Sequence, residues 1–277
     1  MVTGANSGIG LATATALAGH GANVTITARS EPKALAALES IEAVTGVRAE
    51  FAILDLADTE SIEECALALA GSVPELSVLV NNAGAIFGSR RETGNGWELT
   101  LATNHLGPFL LTHRLLPLMR ASGQARVINV ASSGHGYAKD GFRFADPHAT
   151  ARYRMMGAYG QSKLANILHA AELDRRYADD GIHAYSMHPG LVSTSIGRGG
   201  DAWLADLAWR VTKRRQIDPD DGADTAVWLA TAEDPRPYGG YFEHREEARS
   251  TRHARDDAQA RELWDWSASV VGIESTP

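Results

Sequence analysis

Short runs of β-branched and aliphatic residues alternate with helix-like segments along most of this chain. That alternation narrows the architectures open to it more than any other feature. Residues 22–28 (ANVTITA), 47–54, 76–81 (LSVLVN), 125–131 (ARVINVA) and 182–187 (IHAYSM) read as strands. Their nearly continuous apolar character suits parallel strands buried on both faces. Residues 11–18, 32–44, 59–69 and 158–177 read as helices, with Pro32 where a first helical turn tolerates proline. The pattern predicts an α/β fold, a doubly wound and mostly parallel sheet with helices on both faces. A chain of 277 residues suits one such domain rather than two.

Composition removes several function classes. A net charge of −8 repels phosphate backbones and argues against general nucleic-acid binding. The single cysteine, Cys65, lies in an apolar stretch and reads as a small core residue; no intramolecular disulfide is open to it. No H-E-x-x-H or related spacing marks a metal site, and His105, His113 and His188 read as structural. No run reaches the ~18 apolar residues that a membrane span needs. The first residues lack a signal-peptide layout, so the expectation is a cytoplasmic enzyme with no membrane partner.

Three regions interrupt the rhythm. Residues 134–157 form a long polar insert dotted with aromatics, and 191–217 hold Gly197, Gly199 and Gly200 before an apolar run. Both read as substrate loops. A tail over 240–277 has helical spacing in 256–270, with Leu263, Trp264 and Trp266 expected to dock on the body. At the other end only Met1, Val2 and Thr3 precede a glycine-rich turn, where a strand of about five or six residues is expected. The expectation is that this central strand is truncated and that the true start lies upstream.

The turn itself is Thr3-Gly4-Ala5-Asn6-Ser7-Gly8-Ile9-Gly10, set between that stub and a helix of small residues. Glycines permit tight turning and close backbone approach, and the following helix start offers free N–H groups to a pyrophosphate. The run resembles the T-G-x-x-x-G-I-G signature of the short-chain dehydrogenases/reductases, a family with a Rossmann-type fold. The resemblance implies nicotinamide dinucleotide binding at Gly4, Asn6, Ser7, Gly8, Ile9 and Gly10. Asp55-Leu56 resembles the family's adenine-contacting pair. Asn81-Asn82-Ala83-Gly84 resembles its N-N-A-G motif, which contacts the adenosine ribose and stabilises the sheet. The strand over 22–28 ends without a carboxylate at Ala28, and Arg29 follows. A guanidinium there pairs with a 2′-phosphate, so NADP(H) is expected over NAD(H); Glu31 is the alternative, as a ribose-hydroxyl acceptor.

Of seven tyrosines only Tyr159 has a lysine four residues later, Lys163, on the same helix face. A nearby ammonium favours a phenolate and lowers a tyrosine pKa toward working pH. By resemblance Tyr159 is the acid/base, and Lys163 lowers its pKa and bonds the nicotinamide ribose. Ser132, in Asn129-Val130-Ala131-Ser132-Ser133-Gly134, matches the catalytic serine, with Ser133 as the alternative. Asn104 matches the asparagine that bends its helix and anchors a relay water. His188-Pro189-Gly190-Leu191-Val192-Ser193-Thr194 resembles the P-G-x-V-x-T segment, so Pro189 shapes the chain beside the nicotinamide and Thr194 bonds its carboxamide. The long spacing from Ser132 to Tyr159, His135 with the aromatic insert, and the tail motifs at Tyr238–Glu243 and Ala260–Asp265 resemble the retinol-dehydrogenase-like branch. The membrane anchor of many animal members of that branch is missing from the chain given.

The resemblance implies hydride transfer between an alcohol and a ketone or aldehyde. Phe142, Phe144, Trp203 and Trp209 in the two substrate loops point to a hydrophobic small molecule. Two other readings stay open: a redox sensor that binds NADP(H) without turnover, and a double-bond reductase using the same Tyr/Lys pair. The family also suggests a homo-oligomer, paired through the helices carrying residues 104–118 and 159–177.

Overall fold

The computed structural model describes residues 1–190 and 218–274. Five strands fall where the apolar runs predict them: β1 Thr25–Ala28, β2 Glu50–Ile53, β3 Val78–Asn81, β4 Ala125–Val130 and β5 Ile182–Met187. Two more follow, β6 Tyr241–Glu243 and β7 Glu246–Glu247. All neighbouring pairs are parallel except the last, where β7 runs antiparallel to β6.

The stub at residues 1–3 is what joins the sheet. Val2 bridges Ile26 on one side and Val80 on the other, both in parallel. Val2 N–H donates to the Thr25 carbonyl and Thr27 N–H returns to Val2, at 2.9 and 3.0 Å. On the far side Val80 N–H donates to the Met1 carbonyl and Thr3 N–H to that of Val80. Three residues thus complete the order β2, β1, stub, β3, β4, β5, β6, β7. Val2 is wholly buried, so its side chain helps close the core as well as the ladder.

Helices cover both faces. α1 Gly8–Gly19, α2 Glu31–Thr45 and, past the undescribed stretch, α7 Pro219–Thr231 close one core around Val2, Ile26, Ile41, Val80, Tyr185 and Phe242. α3 Thr59–Ser72, α5 Gly107–Ala121, α6 Met155–Tyr177 and the last helix, α8 Asp257–Val271, close the other. Cys65 belongs to this second core, and burial pushes its thiol up to about 11.

The helix termini follow from local chemistry. Asp58 caps α3 and Asp256 caps α8, each carboxylate accepting first-turn N–H groups. Pro32 lies in the first turn of α2, which ends at Gly46 in the left-handed conformation. The short helix α4, Leu99–Leu101, starts under Glu98, whose two carboxylate oxygens take the N–H groups of Thr100 and Leu101. It runs into a π-helical turn, Ala102–Leu106, and then into α5.

α8 lies on α6 and α5. Trp264, 2% exposed, meets Phe109 at 4.9 Å, His113 at 5.9 Å and His169 at 5.8 Å between ring centres. Leu263 is buried beside it, and Trp266 packs on Phe142. The chain's own tail thus covers the part of α5 and α6 that meets Trp264. Phe142 is placed differently from expectation. It is buried against Phe144 and Trp266 and builds core, with Phe144 half-buried beside it. Trp203 and Trp209 lie outside the described residues.

Candidate active site

The glycine-rich turn is shaped by what its residues lack. Gly4 has φ +63°, and a Cβ there would stand 2.9 Å from the Cβ of Ala83. A Cβ on Gly10 would strike the Asn82 amide and lie 2.8 Å from the Gly4 carbonyl oxygen. The turn therefore lies directly on the 82–83 segment. Thr3 fastens it there: its hydroxyl accepts from the N–H groups of Asn82 and Ala83, both at 3.0 Å. The Asn82 side chain answers with a 2.8 Å bond to the Thr3 carbonyl. Thr3 and Asn82 are site-building residues that the motif reading passed over, although both stand inside the quoted motifs.

Above this floor α1 begins. Ser7 precedes its first turn with an exposed side chain that makes no capping bond. First-turn N–H groups have no intrahelical acceptor and carry the positive end of the helix dipole. Ile9 is buried against Ala223 of α7, so only its backbone faces the turn. Arg29 stands exposed directly after β1, and among the described residues no acidic group pairs with it. A floor without Cβ atoms, together with unpaired N–H groups, forms a donor set suited to a dinucleotide pyrophosphate.

Other predicted contacts are redistributed. The Asn81 side chain is buried, donating to Thr112 Oγ1 at 3.1 Å and Asn129 Oδ1 at 2.9 Å. It ties β3 to β4 and α5, so this side chain braces the sheet. Leu56 is likewise a core side chain. Asp55 takes the N–H of Ala57 and is not a helix cap, since Asp58 holds that position. Pro189 lies beyond the end of β5 and is half-buried, followed by Gly190 with φ +80°. Thr194 and the 191–217 loop lie outside the described residues.

Asn104, Ser132, Tyr159 and Lys163 converge at the carboxyl ends of β3, β4 and β5. Asn104 sits in the π-helical turn, where one extra residue per turn re-aims a side chain. Its amide is fully engaged: Oδ1 accepts from Ala85 N–H at 2.7 Å, and Nδ2 donates to the Ala85 carbonyl and to Ser162 Oγ, both at 2.9 Å. Ser162 in turn donates to the Tyr159 carbonyl at 2.8 Å. The expected bend is thus a π turn that links the loop after β3 to the helix carrying Tyr159. Gly84 closes the cluster, since a Cβ there would lie 3.4 Å from both Asn104 Oδ1 and Lys163 Nζ.

Lys163 is buried and donates to the Val130 carbonyl at 2.8 Å. Burial lowers its pKa from 10.5 to about 8, which leaves it mostly cationic at neutral pH. Its Nζ lies 5.7 Å from the Tyr159 ring centre. Tyr159 is half-buried, crowding by protein atoms raises its pKa, and the neighbouring Ser132 hydroxyl opposes that rise. The expected lowering of Tyr159 by Lys163 is not what dominates here: burial wins, and the phenol holds its proton. Ser132 is also distinguished from its neighbour. Its hydroxyl lies on the Tyr159 side, both flanking Gly134, whereas Ser133 is exposed at the start of the next turn. Gly134 makes room for both; a Cβ there would stand 2.8 Å from Tyr159 Cε1.

The family model described as short chain dehydrogenase matches residues 1–204. The chain belongs to the short-chain dehydrogenases/reductases. It is 38% identical to retinol dehydrogenase 12 of Mus musculus over 99% of this chain and 86% of that protein. It is 37% identical to dehydrogenase/reductase SDR family member 13 of Homo sapiens, over 99% and 73%. These relatives place it in the retinol-dehydrogenase-like branch. A crystal structure of an uncharacterized Mycobacterium Paratuberculosis protein superposes with TM-score 0.78 at 30% identity, covering 99% of this chain and 93% of that one. The RhlG/NADP active-site complex of Pseudomonas aeruginosa superposes with TM-score 0.68 at 26% identity, over 87% and 91%. The chain is accordingly an NAD(P)-binding oxidoreductase. Sequence reasoning missed Gln161, one residue short of Ser162: its amide holds Arg143 N–H at 2.8 Å and the Gly141 carbonyl at 2.9 Å, pinning the insert beside the site.

Proposed function

We propose that this enzyme interconverts an apolar alcohol and its aldehyde or ketone using NADP(H), with Tyr159 as the acid–base group. The observation that carries the reading is the convergence of Ser132 and Tyr159 on Gly134, set over Lys163 and Asn104 at the strand ends. Gly4, Gly8, Gly10 and the first turn of α1 would hold the pyrophosphate, Arg29 the 2′-phosphate, and Lys163 the nicotinamide ribose. The bound dinucleotide supplies or accepts the hydride.

In the reducing direction the Tyr159 hydroxyl gives its proton to the substrate oxygen as negative charge develops there, and Ser132 donates a second hydrogen bond. Burial favours the protonated phenol, the form this direction needs. Oxidation needs the phenolate, and the Lys163 ammonium beneath the ring favours it. Several relatives carry the name retinol dehydrogenase, which supports an apolar alcohol as the substrate class. The π turn at Asn104 supports a catalytic enzyme over a sensor, because a sensor gains nothing from re-aiming that side chain.

The test is Tyr159→Phe. NADPH-dependent reduction of all-trans-retinaldehyde should fall at least ~100-fold, with NADPH affinity by fluorescence titration close to that of the parent. Substantial remaining turnover would remove Tyr159 from its role.

A further inference from the structure

We infer that His135 is a positioning residue that sets the catalytic serine through its bond to that serine's carbonyl, with Thr251 selecting the tautomer that makes the bond. The inference rests on the catalytic reading of Ser132 and Tyr159 given above.

His135 stands three residues after Ser132 and is 5% exposed. Its Nδ1 lies 2.7 Å from the Ser132 carbonyl oxygen, and the Thr251 N–H points at its Nε2 from 3.2 Å. A backbone N–H only donates and a carbonyl only accepts. Nε2 must therefore offer its lone pair and Nδ1 must carry the proton. One neutral tautomer satisfies both ends, and burial supports it by lowering the imidazole pKa. The ring also packs edge-on against Tyr241 of β6, with centres 5.2 Å apart. Residue 251 is thereby joined to the turn that holds Ser132, 116 positions earlier.

The Ser132 carbonyl additionally accepts the backbone N–H of His135, at 3.0 Å. The Ser132 hydroxyl accepts from Gly134 N–H, also at 3.0 Å, which leaves its own hydrogen for the phenol or a substrate oxygen. A short helical turn of this kind closes with backbone bonds and does not need an imidazole. What His135 adds is a second anchor on the serine's own peptide group. Because Gly134 lies against the Tyr159 ring, rotation of this turn moves Ser132 relative to the phenol. A misplacement of about 1 Å at reacting groups costs on the order of 100-fold in rate.

Three variants of the full chain separate the two bonds. His135→Asn places an N–H near the position of Nδ1 and keeps the Ser132 bond while losing Thr251. His135→Gln reaches Thr251 and loses Ser132. His135→Phe loses both. Each is assayed with NADPH and all-trans-retinaldehyde, alongside Tyr159→Phe and thermal melting. The expected result is that Asn retains most of kcat, while Gln and Phe lose about tenfold to hundredfold with an unchanged KM for NADPH. Equal kcat in Asn and Phe, or losses that merely track melting temperature, would overturn the inference and leave the catalytic reading intact. Turnover surviving in Tyr159→Phe would instead sink that reading, and the inference with it.

Discussion

The two ends of the active site are built on opposite principles. Around the glycine-rich turn the working parts are backbone N–H groups and missing side chains: Gly4 and Gly10 press against Ala83 and Asn82 with no room for a Cβ. Around Tyr159 the working parts are side chains, held by backbone groups of other segments: Asn104 by Ala85, Lys163 by Val130, Ser132 by Gly134. The first end is set chiefly by atoms that must be absent. The second is set chiefly by polar groups that must be present, because a buried donor or acceptor left without its partner costs about 1–3 kcal/mol.

Gly10→Val should have the largest effect and tests the first half of that contrast. Its added atoms meet Gly4, Ala5 and Asn82, so they must push the turn off its floor. Overpacking of this kind costs about 1–3 kcal/mol, and here the strain falls on the surface that meets the pyrophosphate. Affinity for NADPH and NADH should fall together, on the order of 100-fold, in a fluorescence titration. Ser7→Ala, which removes a hydroxyl and adds nothing, should change either by only a few-fold; a Ser7 effect as large as that of Gly10 would break the comparison. Arg29→Asp comes next and acts on one coenzyme alone. A charge-assisted bond of about 1.5–3 kcal/mol is replaced by repulsion, so the NADPH to NADH affinity ratio should drop tenfold or more. An unchanged ratio would remove Arg29 from the 2′-phosphate.

The same contrast decides what could be read from the chain. The sheet was legible because parallel strands buried on both faces are apolar throughout, as in 76–81 and 125–131. β6 was not, because Tyr241–Glu243 is three residues long and carries no periodicity, though its motif was noted by resemblance. The glycine-rich turn was legible because glycine is the only residue that supplies an absent Cβ. The four convergent side chains were legible by type and spacing, but their surroundings were not. Nothing in the order Tyr-Gly-Gln-Ser-Lys says that Gln161 will hold Gly141 and Arg143, since its partners come from a different segment. Phe142 misled for the same reason: it is apolar in either setting, and only the placement of Trp266 shows which it occupies. Asn81 was half legible, its sheet-stabilising part visible in the structure as bonds to Thr112 and Asn129.

The smallest effect we predict concerns Lys163 in the coenzyme-free protein. Burial lowers its pKa from 10.5 to about 8, so the folded chain releases this proton before the unfolded chain does. Below pH 8 both states are charged and the folded state bears the full cost of an ammonium out of water. Between pH 8 and 10.5 only the unfolded state keeps the proton, and the cost disappears as pH rises. The shift corresponds to roughly 3 kcal/mol, and Lys163→Met removes it while losing one hydrogen bond to Val130, worth about 1 kcal/mol. Asn166 still donates to that carbonyl, at 3.2 Å. The variant should therefore be inactive yet more stable than the parent at pH 7, by about 2 kcal/mol, or a few degrees in melting temperature. The gain should shrink, pass through zero and become a loss of about 1 kcal/mol as pH approaches 10.5. A catalytic group that weakens its own fold is expected where buried side chains do the chemistry. A variant less stable at pH 7, or a difference that does not change with pH, would mean that the lysine is not held as a strained charge in the free enzyme.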